Sequence, residues 1–240
     1  MKVTQYALYL ESGPRRRKTM VHALDLLGCI AQGPTTEEAL EATPEAIRIY
    51  LRFLRRHGDT VDPNASFTTA VAEHVTEGSW LGNGDPTGGF TPDFAPLAAD
   101  ELDLHLQRLA WLRSDLLQVL KGIPRQQMLA EPASGGRSIY HMMLHMAESQ
   151  CVYLRYLVGK VDGLSEALKD VQQGPEALLA TLPGLWQLSS DRLAALTPAE
   201  REQQVPHGEV TWTARRALRR TIEHEWEHRL ELSRRLDRAV

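Results

Sequence analysis

The sequence predicts a two-part α+β protein, a small N-terminal βββαβ unit followed by an all-α four-helix bundle. Three observations lead there. Short apolar runs broken by glycine fill the first third, a dense Gly/Pro stretch follows, and beyond it leucines repeat at helical spacing with no strand-like run between them. A chain of 240 residues is long enough for two cores. The boundaries read as 1–77 for the α+β unit, 78–97 for a Gly/Pro-rich linker and 98–240 for the bundle.

Val3 to Glu11 alternates apolar positions, and Met20 to Leu27 and Cys29 to Gln32 are apolar runs interrupted by Gly28 and Gly33, so three strands are expected. Arg15-Arg16-Arg17-Lys18 beside Pro14 reads as a solvated loop between the first two. Thr35-Thr36-Glu37-Glu38 has the form of a capping box, in which a hydroxyl and a carboxylate satisfy free backbone N–H groups, and a helix starts there. Its apolar face runs through Leu40, Ile47, Leu51 and Leu54, with a kink expected at Pro44 and a stop at Gly58. Thr68 to Thr76 reads as a last strand.

In the linker, glycines and prolines are dense enough to prevent regular structure, while Trp80, Phe90 and Phe94 are expected to dock on a domain surface. The bundle helices are expected over about Asp100–Lys121, Ser138–Val158, Pro175–Leu196 (with Pro183-Gly184 a potential break) and from a cap at Thr211 or Thr213 to Arg238.

Composition narrows the function. A formal charge of -4 argues against broad attraction to nucleic acid. No apolar run is long enough to span a bilayer, and the N-terminus lacks a secretory pattern, so a cytoplasmic protein without a membrane partner is expected. Cys29 and Cys151 lie far apart in sequence and are expected to be reduced and buried.

Histidines carry the chemistry. His224 and His228 are four residues apart, so both rings leave one helix face one turn apart. They share a stripe with Ala214, Ala217, Thr221 and Leu232, which turns them inward. On another helix His145 shares a stripe with Met142, Ser149, Val152 and Tyr156, so a third ligand can come from there, while His141, one turn earlier, competes with it. Three neutral imidazoles around one divalent ion leave a coordination position open, the pattern of a catalytic site. Zinc or nickel is the first expectation, with iron and manganese open.

His224-Glu225-x-x-His228 also spells a zinc-protease motif. No strand precedes it to hold an extended peptide, and the usual downstream third ligand is missing, so Glu225 is kept only as a candidate acid/base. Glu148, one turn beyond His145, is the alternative. Tyr153 and Tyr156 are read as core residues that border the site.

Two resemblances add to this. Leu24-Asp25-Leu26-Leu27-Gly28-Cys29-Ile30-Ala31-Gln32-Gly33, with Thr36-Glu37-Glu38-Ala39-Leu40 and Ala46-Ile47, resembles the HicB-like domain. The best-known members of that family are antitoxins that pair this domain with a DNA-binding module. Here no such module follows, and the resemblance implies binding of a protein partner or of a second copy. Ser138-Ile139-Tyr140-His141-Met142-Met143-Leu144-His145-Met146-Ala147-Glu148 and Thr221-Ile222-Glu223-His224-Glu225-Trp226-Glu227-His228-Arg229 resemble the second-helix and last-helix signatures of the DinB family. That resemblance implies a homodimeric four-helix bundle with His145, His224 and His228 as its metal triad, and leaves His141 as an additional or outer group. It also implies metal-dependent transfer of a low-molecular-weight thiol to a small electrophile. The alternative is a non-catalytic stress or sensor protein, stabilised by metal, that recruits a partner through the HicB-like domain.

Overall fold

A computed structural model describes residues 3–13, 18–78, 81–82, 88–133 and 135–238. The chain opens with β1 (Thr4–Ser12), β2 (Thr19–Ala23) and β3 (Ile30–Gly33), continues through α1 (Thr36–Arg56) and returns as β4 (Phe67–Val75). The sheet order is β3-β2-β1-β4. β1 and β2 pair antiparallel from Leu8↔Ala23 to Ser12↔Thr19. The crossover through α1 brings β4 back parallel to β1, from Thr4↔Phe67 to Glu11↔Val75, with a bulge at Leu8/Tyr9.

Half of the expected capping box is formed: Thr35 Oγ1 accepts from the Glu38 N–H at 3.2 Å, while the Glu38 carboxylate takes the Thr35 hydroxyl at 2.9 Å rather than a backbone N–H. α1 runs unbroken through Pro44 to Arg56 and buries Ala39, Ile47, Tyr50, Leu51, Phe53 and Leu54. Gly28, between a 3-10 turn at Leu24–Leu26 and β3, has φ +109°, and a Cβ there would stand 2.5 Å from Tyr50 Oη and 2.7 Å from Ile222 Cγ2. Only glycine allows that backbone path against the last helix. The basic cluster Arg15-Arg16-Arg17 and the ring of Trp80 lie outside the described residues.

After the sheet unit come α2 (Ala99–Leu120), α3 (Arg125–Leu129), α4 (Ile139–Val158), α5 (Leu164–Val171), α6 (Pro175–Ala194), α7 (Pro198–Glu202), β5 (Val205–His207), β6 (Val210–Trp212) and α8 (Ala214–Leu236). The four long helices α2, α4, α6 and α8 pack on one another, with α8 against both α2 and α4. Pro183 does not split α6, which is continuous over twenty residues. Two expectations need correction. The helical region does contain strands, the hairpin β5–β6, which pairs Val205↔Trp212 and His207↔Val210. The segment 78–97 is also not free of regular structure: a 3-10 turn spans Thr91–Phe94, and Leu81, Phe90, Asp93 and Leu97 are buried. Burial of aromatic and aliphatic side chains outweighs the local preference of glycine and proline for irregular backbone.

Buried apolar residues of the sheet unit and of the helices form one contiguous cluster. Tyr50 and Phe53 of α1 meet Trp226 of α8 with ring centroids 4.9 and 5.0 Å apart. Cys29 and Cys151 are free and buried, as expected. Among the described residues no helix is long and apolar enough to cross a membrane.

Candidate metal centre

The site is built on α8, which Thr213 caps by accepting from the Arg216 N–H at 3.1 Å. The sheet unit covers one side of this helix and the other helices cover the rest, so polar residues all round it are buried. On the side facing α4, Ala214, Ala217, Thr221, His224, His228 and Leu232 form the expected inward stripe, and all are buried. α4 starts at its cap Ser138 and brings His145 opposite the pair.

The three rings meet through their Nε2 atoms. His224 Nε2 is 3.1 Å from His145 Nε2 and 3.1 Å from His228 Nε2. One ligand atom from each of the three residues lies within 4.8 Å of the others. Nitrogens held about 2.0–2.1 Å from one ion stand about 3 Å apart, so the spacing fits a shared cation. Protons alone cannot satisfy it. A ring nitrogen carries either one N–H or one in-plane lone pair, so His224 Nε2 cannot serve both neighbours at once.

Electrostatics favour the same state. Burial, with Arg137 and His228 nearby, pushes His145 down to about 4. His224 lies well below an ordinary imidazole, first through burial and then through His228, His145, Arg220 and Arg137. These two rings stay neutral at neutral pH, and neutral imidazole is the form that ligates metal. On its far side His228 Nδ1 is 2.9 Å from Glu231 Oε2, and that hydrogen bond, more than any other influence, holds the Glu231 carboxyl below its usual range. Arg235 pairs with the other Glu231 oxygen. A carboxylate on the outer nitrogen fixes ring orientation and aims Nε2 at the centre. Sequence reasoning missed Glu231, although its i,i+3 spacing from His228 was the available signal.

The other predicted residues lie elsewhere. Glu225 was expected as a candidate acid/base for the site. It is buried instead, with Arg113 Nη2 2.8 Å from Oε1 and Arg113 Nε 3.1 Å from Oε2. Arg113 also donates to the Trp186 carbonyl and to Ser190 Oγ, so Glu225 belongs to a tie between α2, α6 and α8. Burial raises the Glu225 pKa against the pull of Arg113. Glu148 is half-buried and accepts from Gln172 Nε2 at 3.0 Å. His141 is exposed, with Nδ1 2.9 Å from Ser138 Oγ at the start of α4, and it is outside the cluster of three. Tyr153 is buried and stacks on Trp212 of the hairpin, with its ring 6.4 Å from that of His224. Tyr156 also packs against Trp212.

The opposite side of α8 carries a second polar group. Glu223 takes His22 Nδ1 at 2.9 Å, Arg219 Nη1 at 2.9 Å and Arg220 Nη1 at 3.4 Å, all buried. Burial alone would raise the Glu223 pKa, but His22, Arg219 and Arg220 hold it at about 2. Arg219 also grips Asp93 through two bonds of 2.7 Å, tying the 78–97 segment to α8, and its guanidinium lies 4.9 Å from the Phe90 ring centroid.

The comparisons with known proteins agree with the histidine geometry. A family model described as the DinB superfamily matches residues 108–232, more than half of the chain, a span that includes all three histidines. No curated protein and no solved structure matches the chain.

Proposed function

This chain belongs to the DinB superfamily, and from that membership and the histidine cluster we propose that it is a metal-dependent transferase. In this reading His145, His224 and His228 hold one divalent ion, zinc or nickel first, and a low-molecular-weight thiol or water attacks a small electrophile. The observation that carries it is His224 Nε2 standing 3.1 Å from two other Nε2 atoms, a convergence that a cation satisfies and a proton does not. When bound, such an ion supplies Lewis acidity that lowers the pKa of a coordinated thiol or water.

The chain's own residues do the rest. Glu231 orients His228, and burial keeps His145 and His224 free of protons. Tyr153, backed by Trp212, borders one side of His224. With Glu225 bound to Arg113, Glu148 is the carboxylate we keep for proton transfer, one turn from His145 on α4. The four long helices are read as the bundle of the superfamily, and a homodimer in the cytoplasm as its working form.

Elemental analysis of the purified protein and of its triple alanine variant at 145, 224 and 228 tests the site. Metal in the first and none in the second is expected, and equal content in both would sink it. A screen of low-molecular-weight thiols against electrophiles then tests the reaction.

A second reading rests on the bonds between the sheet unit and the back of α8, His22 to Glu223 and Gln32 Nε2 to Glu227 at 2.7 Å. Here the metal stabilises a non-catalytic sensor, and the sheet unit, read as HicB-like, recruits a protein partner. A flat thiol screen on metal-loaded protein, with metal still raising Tm, selects this reading.

A further inference from the structure

One residue on from His228, and about 100° further round the helix, Arg229 of α8 points away from the histidines. It lines a cavity of about 300 Å³ with Arg56, Asp115, Gln118, Val119 and Arg238. Arg56 ends α1, the next three belong to α2, and Arg238 follows α8, so the cavity lies where the sheet unit meets the helices.

Its lining is mostly polar by residue type and unequally charged. Asp115 is paired with Arg56 and also takes His57 Nε2 at 3.0 Å. Arg229, only 3% exposed, donates to Ser233 Oγ, and Arg238 donates to the Val119 carbonyl. Three guanidiniums and one carboxylate give the described lining a formal charge of about +2, since arginine stays protonated. A guanidinium presents a planar fork of N–H donors that matches two oxygens of a tetrahedral oxyanion. The cations come from the end of α1, from α8 and from the residue two past it, and a group bearing close to two negative charges balances them.

We infer that this cavity is a binding site for a dianionic oxyanion, either inorganic phosphate or the phosphate of a small monoester. Bound there, the anion links α1, α2 and the end of α8. The site is separate from the metal centre and does not depend on what the metal does.

Titration calorimetry and thermal unfolding of the full chain with inorganic phosphate, against chloride at equal ionic strength, test this. Phosphate is expected to bind saturably and raise Tm, and chloride to do neither. Arg238→Gln and Arg56→Gln are each expected to weaken binding about tenfold, the loss of one charge-assisted contact. Gln118→Glu keeps every arginine and adds a competing carboxylate to the cavity, so it should abolish binding even if an arginine variant folds poorly. His145→Ala removes a metal ligand and should leave the phosphate response intact. Glycerol 3-phosphate distinguishes the two sources: tighter binding than phosphate assigns the monoester, weaker binding the free ion. The inference fails if chloride acts as phosphate does, if Gln118→Glu still binds, or if the response disappears in His145→Ala, which would put phosphate on the metal.

Discussion

On one side of α8, His224 and His228 bring their rings together with that of His145, Nε2 toward Nε2. On the other, Arg219, Arg220 and Glu223 are charged and answered by His22 and Asp93. Both sides are buried polar surface on the same helix, but one is held by ion pairs to other elements while on the other the ring nitrogens face one another. The ion-paired side ties α8 to β2 and to the segment around Asp93, while the histidine side is the one proposed to hold the ion. The contrast also separates stability from metal affinity as measurable properties.

The largest effect should come from Glu223→Ala, which takes the carboxylate from His22 and Arg220 and leaves Arg219 with Asp93 alone. We expect a loss of about 3–5 kcal/mol in urea unfolding, with metal content per folded molecule unchanged. A loss below about 1 kcal/mol would mean that the pairs contribute nothing net and would erase the distinction. Next is metal removal. With free metal at about a hundred times its Kd, wild type should gain about 2.7 kcal/mol over the chelated form, and His224→Ala should gain nothing. Glu231→Gln is subtler: about 10- to 100-fold weaker metal binding by competition titration, with unfolding of the metal-free protein little changed. Smallest, Thr213→Ala should cost about 1 kcal/mol through the lost cap, and an unchanged metal affinity would show that the start of α8 serves the fold alone.

Sequence made the histidine side more legible than its opposite. A His pair at i,i+4 on a stripe with Ala217, Thr221 and Leu232 announces both its face and its chemistry. The Thr35 cap of α1 and the βββαβ order were equally readable, because each is a local pattern. The ion-paired side was hidden because arginine and glutamate on a helix normally mark the solvent face. What buries Arg219 and Glu223 is a sheet unit some two hundred residues earlier in the chain, with His22 on β2. Glu225 was misplaced for the same reason, since its partner Arg113 lies on α2. The β5–β6 hairpin escaped because three-residue strands, one containing Pro206, are too short to show an alternation. The linker reading took glycines and prolines to prevent regular structure, whereas a 3-10 turn forms at Thr91–Phe94; Phe90, expected to dock, is buried and with Asp93 makes the end of that segment a strap across α8.

Gly28 gives the seam between sheet and helix a further meaning. Its single hydrogen leaves the backbone before β3 in near contact with Ile222, two residues ahead of His224. The clearance there is set by the Tyr50 hydroxyl and an Ile222 methyl, and the positive φ of Gly28 bars other residues as well, so it works like a shim of fixed thickness. Any thicker residue would push on the helix that aims the histidines, making the metal geometry sensitive to a position that never touches it.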